Sequence, residues 1–176
     1  FPGTIIGRFI LRPGDVGTMP ELLGSYYLFV LVGVVTHAAV GYTIGAVAFD
    51  RPKAGLLAGV LADADFVFRL GLSEPFVHRG ITHTLVVALV FAALAVRFAG
   101  RPAGLAAGLG YLSHLAIDIT TPKGIPLLYP FVARNISLDL GLRGHSLLMT
   151  AVFLGFSLAV FAWRTPALPS PRWVTD

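Results

Sequence analysis

The chain has 176 residues, the length of one domain, with an apolar share of 56%, a charged share of only 12% and a mean hydropathy of +0.80, against about 25% charged for a typical soluble domain. A soluble fold of this size has no interior large enough for so much apolar surface, so lipid is expected to solvate much of it. The net charge of +4 comes from isolated Arg and Lys near the ends of apolar runs, which argues for membrane flanking and against a nucleic-acid face, and the absence of cysteine excludes disulfides and thiolate metal sites.

Residues 1–21 mix Gly, Pro and Arg (Arg8, Arg12, Pro13, Gly14) with apolar Ile5, Ile6, Phe9, Ile10 and Leu11. They are expected to form an interfacial or poorly ordered leader without a signal-peptide pattern, with Met19 as an alternative start. From Leu22 to Phe49 there is no Asp, Glu, Lys or Arg. A helix of that length would reach about 42 Å, beyond a hydrocarbon core of about 30 Å, so it is expected to tilt or to break near Gly33 and resume near Thr36.

Asp50-Arg51-Pro52-Lys53 reads as a turn. The second apolar run, Ala54 to Leu61, stops at Asp63-Ala64-Asp65, and a connector from Phe66 to Val77 leads to His78-Arg79-Gly80-Ile81-Thr82-His83. The third run is Leu85 to Ala99, and Arg101-Pro102 makes the next turn. The fourth, Ala103 to Ile119, is polar only at Tyr111, Ser113, His114 and Asp118. Thr120 to Arg143 is a longer connector with Pro122, Pro126 and Pro130, whose part from Ile125 to Val132 is expected at the interface or re-entrant. The fifth run, His145 to Trp163, precedes a Pro-rich tail, 165–176, expected to be mobile. The expected fold is an all-α integral membrane bundle of four or five transmembrane helices, with residues 22–164 as the membrane-embedded, metal-site domain.

Short turns at 50–53 and 100–102 require consecutive helices to alternate direction. His37 then lies toward the start of helix one, Asp63 and Asp65 at the end of helix two, and His83 at the start of helix three. His114 and Asp118 fall at the end of helix four, and His145 at the start of helix five. All belong to one side of an up-and-down bundle. Arg51, Lys53, Arg97 and Arg101 occupy the opposite turns, so the positive-inside rule turns the site outward.

Intramembrane ionisable groups are costly and are functional by default. His114 and Asp118, four apart on a helix, share one face and can reach one ion; the bland alternative is a local pair in which Asp118 orients His114. Asp63 and Asp65, one residue apart, resist joint ionisation without a cation, or else simply end a helix at a wet interface. A loop through Gly80 could aim His78 and His83 inward, with Thr82 capping the following helix and Arg79 facing a phosphate or carboxylate; a polar helix cap is the competing reading. His37 gains weight from its place in the layer. His145 is read as structural capping or support behind the ligands. With His and Asp as the only donors, zinc, manganese or iron fits, as one or two ions. The pairs Gly41/Gly45, Gly55/Gly59 and Gly104/Gly108 have the spacing that lets helices one, two and four approach closely.

The chain resembles the YdjM-like family of inner-membrane proteins, to which a metal-dependent hydrolase activity is ascribed. The resemblance runs through Thr36-His37, Leu61-Ala62-Asp63-Ala64-Asp65, His78-Arg79-Gly80-Ile81-Thr82-His83-Thr84, Gly110-Tyr111-Leu112-Ser113-His114-Leu115-Ala116-Ile117-Asp118 and Thr121-Pro122-Lys123-Gly124-Ile125-Pro126-Leu127-Leu128-Tyr129-Pro130. The family usually shows Leu-Pro-Asp-x-Asp-His at the second motif; here Ala62 replaces the proline and Phe66 the histidine, which makes His37 or His145 the substitute ligand to consider. The resemblance implies a multi-pass protein of the inner membrane and a hydrolase class.

The resulting expectation is a membrane hydrolase with a divalent ion, zinc before manganese or iron, on His78, His83, His114, Asp118, Asp63 and Asp65, with His37 next. The ion would acidify a water to a pKa of about 7, Asp65 or Asp63 would take the proton, and Arg79 would steady developing negative charge. Membrane lipid is the expected partner and a lipid or lipid-linked ester or phosphoester the expected substrate, with no nucleic acid. The competing expectation is a metal-stabilised membrane scaffold or a divalent-cation carrier.

Overall fold

Alternating apolar runs and charged turns become antiparallel helices in the computed structural model, which describes residues 26–69, 78–138 and 147–164. Helix α1 (Tyr26–Phe49) turns through Asp50, at φ 54°, into α2 (Pro52–Leu61), whose proline occupies a position where no backbone donor is missed. A 3-10 segment, Ala62–Arg69, carries the carboxylates away from α2. A short 3-10 turn, Ile81–His83, enters α3 (Leu85–Ala99), followed by α4 (Arg101–Ile119) and α5 (Leu147–Arg164). Every one of these elements is helical. His145 and the proposed leader and tail lie outside the described residues, as does Arg143 at the end of the long connector.

Helix α1 runs unbroken past Gly33, so the expected break is corrected. The Thr36 hydroxyl donates to the Val32 carbonyl at 2.8 Å without breaking the helix, and at 24 residues it reaches about 36 Å, a length that tilt accommodates. Among the described residues one helical stretch, Val30–Phe49, is long and apolar enough to cross a membrane by length and composition; Leu85–Ala99 and Leu148–Arg164 are shorter apolar helices. The expectation of four or five spans is thus met only to the level of an all-helical fold with this one clear span.

Backbone contact between glycines sets how closely the helices approach. A Cβ on Gly41 or Gly55 would run into the other's carbonyl, and Gly45 and Gly59 face Arg51 and His37 backbone in the same way. Gly104 and Gly108 instead face Val96 and Ala92 of α3, and it is Gly110 that brings α4 onto the Gly55 carbonyl. The sequence pairing of Gly104/Gly108 with helices one and two is corrected accordingly. Around this seam Ala58, Ala62, Ala88, Ala107, Tyr111, Leu115 and Ile125 form the buried core. Leu89, Val90, Leu94 and Phe98 on α3 and Leu148, Phe156, Leu158 and Trp163 on α5 are exposed, which suits lipid-facing helices.

Residues 120–138 fold back over the core end of α3 and α4. Ile125 pairs with Ile136 across an isolated bridge, Leu85 donates its N–H to the Leu127 carbonyl, and Leu138 to that of Ile119. At the turn, Gly124 has φ 61° and sits against the Ile136 carbonyl, a position closed to a side chain on both counts.

Candidate metal centre

The end of α2, the start of α3 and the end of α4 meet at one place, and His37 reaches it from α1. The structure brings together His37, Asp63, Asp65, His78, His83, His114 and Asp118, with Arg79 beside them. His37, Asp65, His83, His114 and Asp118 are buried, with His83 and His114 fully so.

The imidazoles are aimed by their Nδ1 atoms. His114 Nδ1 lies 2.7 Å from the Gly59 carbonyl; a carbonyl only accepts, so Nδ1 carries the proton and Nε2 carries the lone pair. His78 Nδ1 lies 3.0 Å from Asp65 Oδ1. His83 Nδ1 lies 3.2 Å from Asp65 Oδ2 and 3.0 Å from the Thr82 hydroxyl. Asp65 also accepts from the Arg79 backbone N–H at 3.0 Å and from the Thr82 hydroxyl at 2.7 Å. Both its oxygens are thus engaged, and Asp65 acts as the carboxylate behind two histidines, the support that metal-ligating imidazoles usually have.

The opposite edges converge. His83 Nε2 stands 3.2 Å from His114 Nε2. Asp118 Oδ2 is 3.3 Å from the first and 3.5 Å from the second, and Asp63 Oδ1 is 3.7 and 3.6 Å from them. Ligand atoms around a tetrahedral ion with bonds of about 2.0–2.1 Å lie about 3.3–3.4 Å apart, so this spacing fits such an ion. His37 stacks on His114 with ring centroids 3.8 Å apart, and its Nε2 is 3.8 Å from Asp118 Oδ1. Two groups of three, His37/His114/Asp118 and Asp63/His78/His83, each bring one ligand atom per residue within 4.8 Å of the other two.

Arg79 donates from Nη2 to Asp118 Oδ1 at 2.9 Å and from Nη1 to the Thr121 hydroxyl at 2.6 Å. Its φ of 65° is a conformation that non-glycine residues adopt only where surroundings hold them. Thr82, expected as the cap of α3, gives its hydroxyl to Asp65 instead; Thr84 caps that helix, accepting from the Val87 N–H at 3.2 Å. The cap falls at Thr84 because the 3-10 turn Ile81–His83 stands between Thr82 and the first residue of α3, Leu85. Gly59, Thr121 and Tyr111, whose hydroxyl bonds the Thr82 carbonyl at 2.6 Å, were not singled out as site-building residues from sequence. Backbone carbonyls and hydroxyls leave no compositional signal, although Gly59 lies in a noted glycine pair.

In the connectors the charges answer one another. Burial opposes ionisation of Asp65, but hydrogen bonds from His78, His83 and Thr82 hold its carboxyl well below the usual carboxylate range; Asp63 is lowered likewise by His83, His114 and His37 against its own burial. Burial also opposes a charge on His83, yet Asp118, Asp63 and Asp65 raise it to about 10. In the metal-free protein a proton on His83 supplies the positive charge this place calls for.

The fold and the site define a helical protein with a buried His/Asp cluster of a kind that can hold a divalent cation. The chain belongs to the YdjM family: the family described as YdjM inner membrane protein matches residues 32–170, which places this chain in the inner membrane. It is 42% identical to the inner membrane protein YdjM of Escherichia coli (strain K12) over 67 residues, 34% of this chain and 33% of that protein. To the inner membrane protein YbcI of the same organism it is 38% identical over 117 residues, 56% of this chain and 67% of the relative. The uncharacterized protein YvsG of Bacillus subtilis (strain 168) is 30% identical over 136 residues, 76% of this chain and 79% of the relative. The aligned stretch therefore spans about a third of the YdjM proteins' own length. No solved structure matches the chain.

Proposed function

We propose that the protein is a membrane-embedded, metal-dependent hydrolase acting on a lipid or lipid-linked ester or phosphoester. The observation that carries the reading is the facing pair of Nε2 atoms on His83 and His114, 3.2 Å apart. With Nδ1 of His114 donating to a carbonyl and Nδ1 of His83 turned to Asp65 and Thr82, the two Nε2 atoms meet beside the Asp118 carboxylate, and once His83 gives up its proton both offer a lone pair there. Such a cluster of acceptors is repulsive until something positive sits among them.

His83, His114 and Asp118 would hold the ion, two histidines and a carboxylate being a set that leaves a position open in catalytic zinc sites. Bound there, a divalent ion, zinc before manganese or iron, would supply a Lewis acid and bring the pKa of a water down to about 7. Asp63, whose side chain is 12% exposed against 3% for Asp65 and 2% for Asp118, stands at the accessible side and is the residue to take a proton from that water. Asp65 fixes the rings of His78 and His83. Arg79 holds Asp118 so that Oδ2 faces the histidines. Helices α1, α3, α4 and α5 cross the bilayer in this reading, with the short α2 completing the bundle. A site at their shared end then meets substrates whose scissile bond lies near the headgroups.

Asp63 also supports the second reading, a metal-stabilised scaffold, in which its Oδ1 would close the shell as a fourth ligand. The two separate by experiment: metal content and hydrolysis of phospholipid and model phosphoesters are compared for wild type, His83→Ala, Asp118→Asn and Asp63→Asn. A hydrolase loses metal and turnover in the first two variants, whereas Asp63→Asn keeps the metal and loses turnover. Metal bound by wild type without turnover on any substrate would leave the scaffold.

A further inference from the structure

We propose that the centre is built for a single divalent ion and that the Arg79 guanidinium occupies the place of a second one. The proposal rests on the metal reading above and goes beyond it in number and in the role of Arg79.

Two ligand triads this close together, His37/His114/Asp118 and Asp63/His78/His83, would suit a two-ion hydrolase, in which ions about 3.5–4 Å apart clamp one reaction between them. Asp118 is the residue that would bridge the ions. Its Oδ2 faces His83 and His114, and its Oδ1 faces His37 Nε2 at 3.8 Å. Yet Oδ1 accepts from Arg79 Nη2 at 2.9 Å, so a cation already sits on the outer oxygen of the bridge.

That cation is built in. Its other arm is fixed on Thr121, its backbone N–H is fixed on Asp65, and its φ is left-handed. The side chain is only 10% exposed.

Charge balance leads to the same number. Asp63, Asp65 and Asp118 carry three negative charges, and the histidines are neutral when they ligate. Arg79 and one divalent ion neutralise the three. A second divalent ion would leave two positive charges uncompensated in a buried place, where unpaired charge is heavily penalised.

The test is the number of ions held by full-length protein purified in detergent. Zn(II) content after desalting is measured together with the Co(II) absorption titration, for wild type, Arg79→Lys and Arg79→Gln. Wild type and Arg79→Lys saturate at one equivalent, and Arg79→Gln, with Asp118 Oδ1 freed and the excess positive charge of two ions cut from two to one, saturates at two. Two equivalents in wild type, or one in Arg79→Gln, overturns the proposal. Should Arg79→Gln not fold, the wild-type number decides alone. Wild type with its helices intact by circular dichroism and no ion bound overturns the metal reading instead.

Discussion

Asp65 shows how much one side chain organises. Its four donors come from His78, His83, Thr82 and the Arg79 backbone, so it aims two imidazoles and steadies a left-handed residue at once. Asp65→Asn puts an amide N–H₂ where one oxygen accepts, and at least one ring loses its support. Metal affinity is expected to fall about 10–100-fold, read by competition with a chromogenic chelator, while helix content by circular dichroism stays near that of wild type. An unchanged affinity would mean that Asp65 does not orient the ligands. Asp118→Asn acts differently, because it removes charge from the oxygen pair shared by the histidines and Arg79; there the metal is expected to be lost outright.

At the level of elements, the bundle is held at the spacing the site needs by glycine backbones. Gly55 touches Gly41 on one side and Gly110 on the other, so α1 with His37, α4 with His114 and α2, which leads into Asp63, are referenced to a single residue. Gly55→Ala must push backbones apart, and it is expected to destabilise the fold by about 1–3 kcal/mol or more and to weaken metal binding through the same displacement. Gly155 on α5 has open space, with nothing within 4 Å of the point a Cβ would occupy. Gly155→Ala is therefore the control, expected to be neutral or to stabilise by up to about 1 kcal/mol through helix propensity. Thermal denaturation in detergent measures both, and equal effects would refute the glycine seam.

For the molecule as a whole, metal and proton compete for His83. Its folded pKa of about 10 lies above the ordinary 6.5, so the protonated ring stabilises the metal-free fold fully below pH 6.5, and this contribution disappears as pH rises through 10. The lowered carboxyls of Asp63 and Asp65 contribute above their ordinary value of 3.8 and lose it as pH falls below. Chelated protein is thus expected to lose thermal stability between pH 6.5 and 10. Over the same interval metal affinity rises, because the incoming cation displaces a proton. At a free-metal level of 100 times Kd the ion adds about 2.7 kcal/mol, so the gap in melting temperature between loaded and chelated protein should widen with pH. A gap that narrows would contradict a ligand role for His83.

The sequence by itself determined where helices run and at which end the ionisable residues gather, because both follow from one-dimensional facts. A lipid-soluble stretch such as Leu85 to Ala99 has only one way to satisfy its backbone, as a helix with those bounds, and short charged turns force alternation of direction. Which atom meets which was decided by tertiary structure alone. The exchange of Gly108 for Gly110 at the seam, the drawing of the Thr82 hydroxyl onto Asp65 in place of the α3 cap, and the turning of Arg79 onto Asp118 all depend on distances between segments remote in the chain. Spacing along one helix says that His114 and Asp118 share a face. It cannot say that the Gly59 carbonyl of another helix assigns the His114 proton, and that assignment is what turns the His114 Nε2 lone pair toward His83.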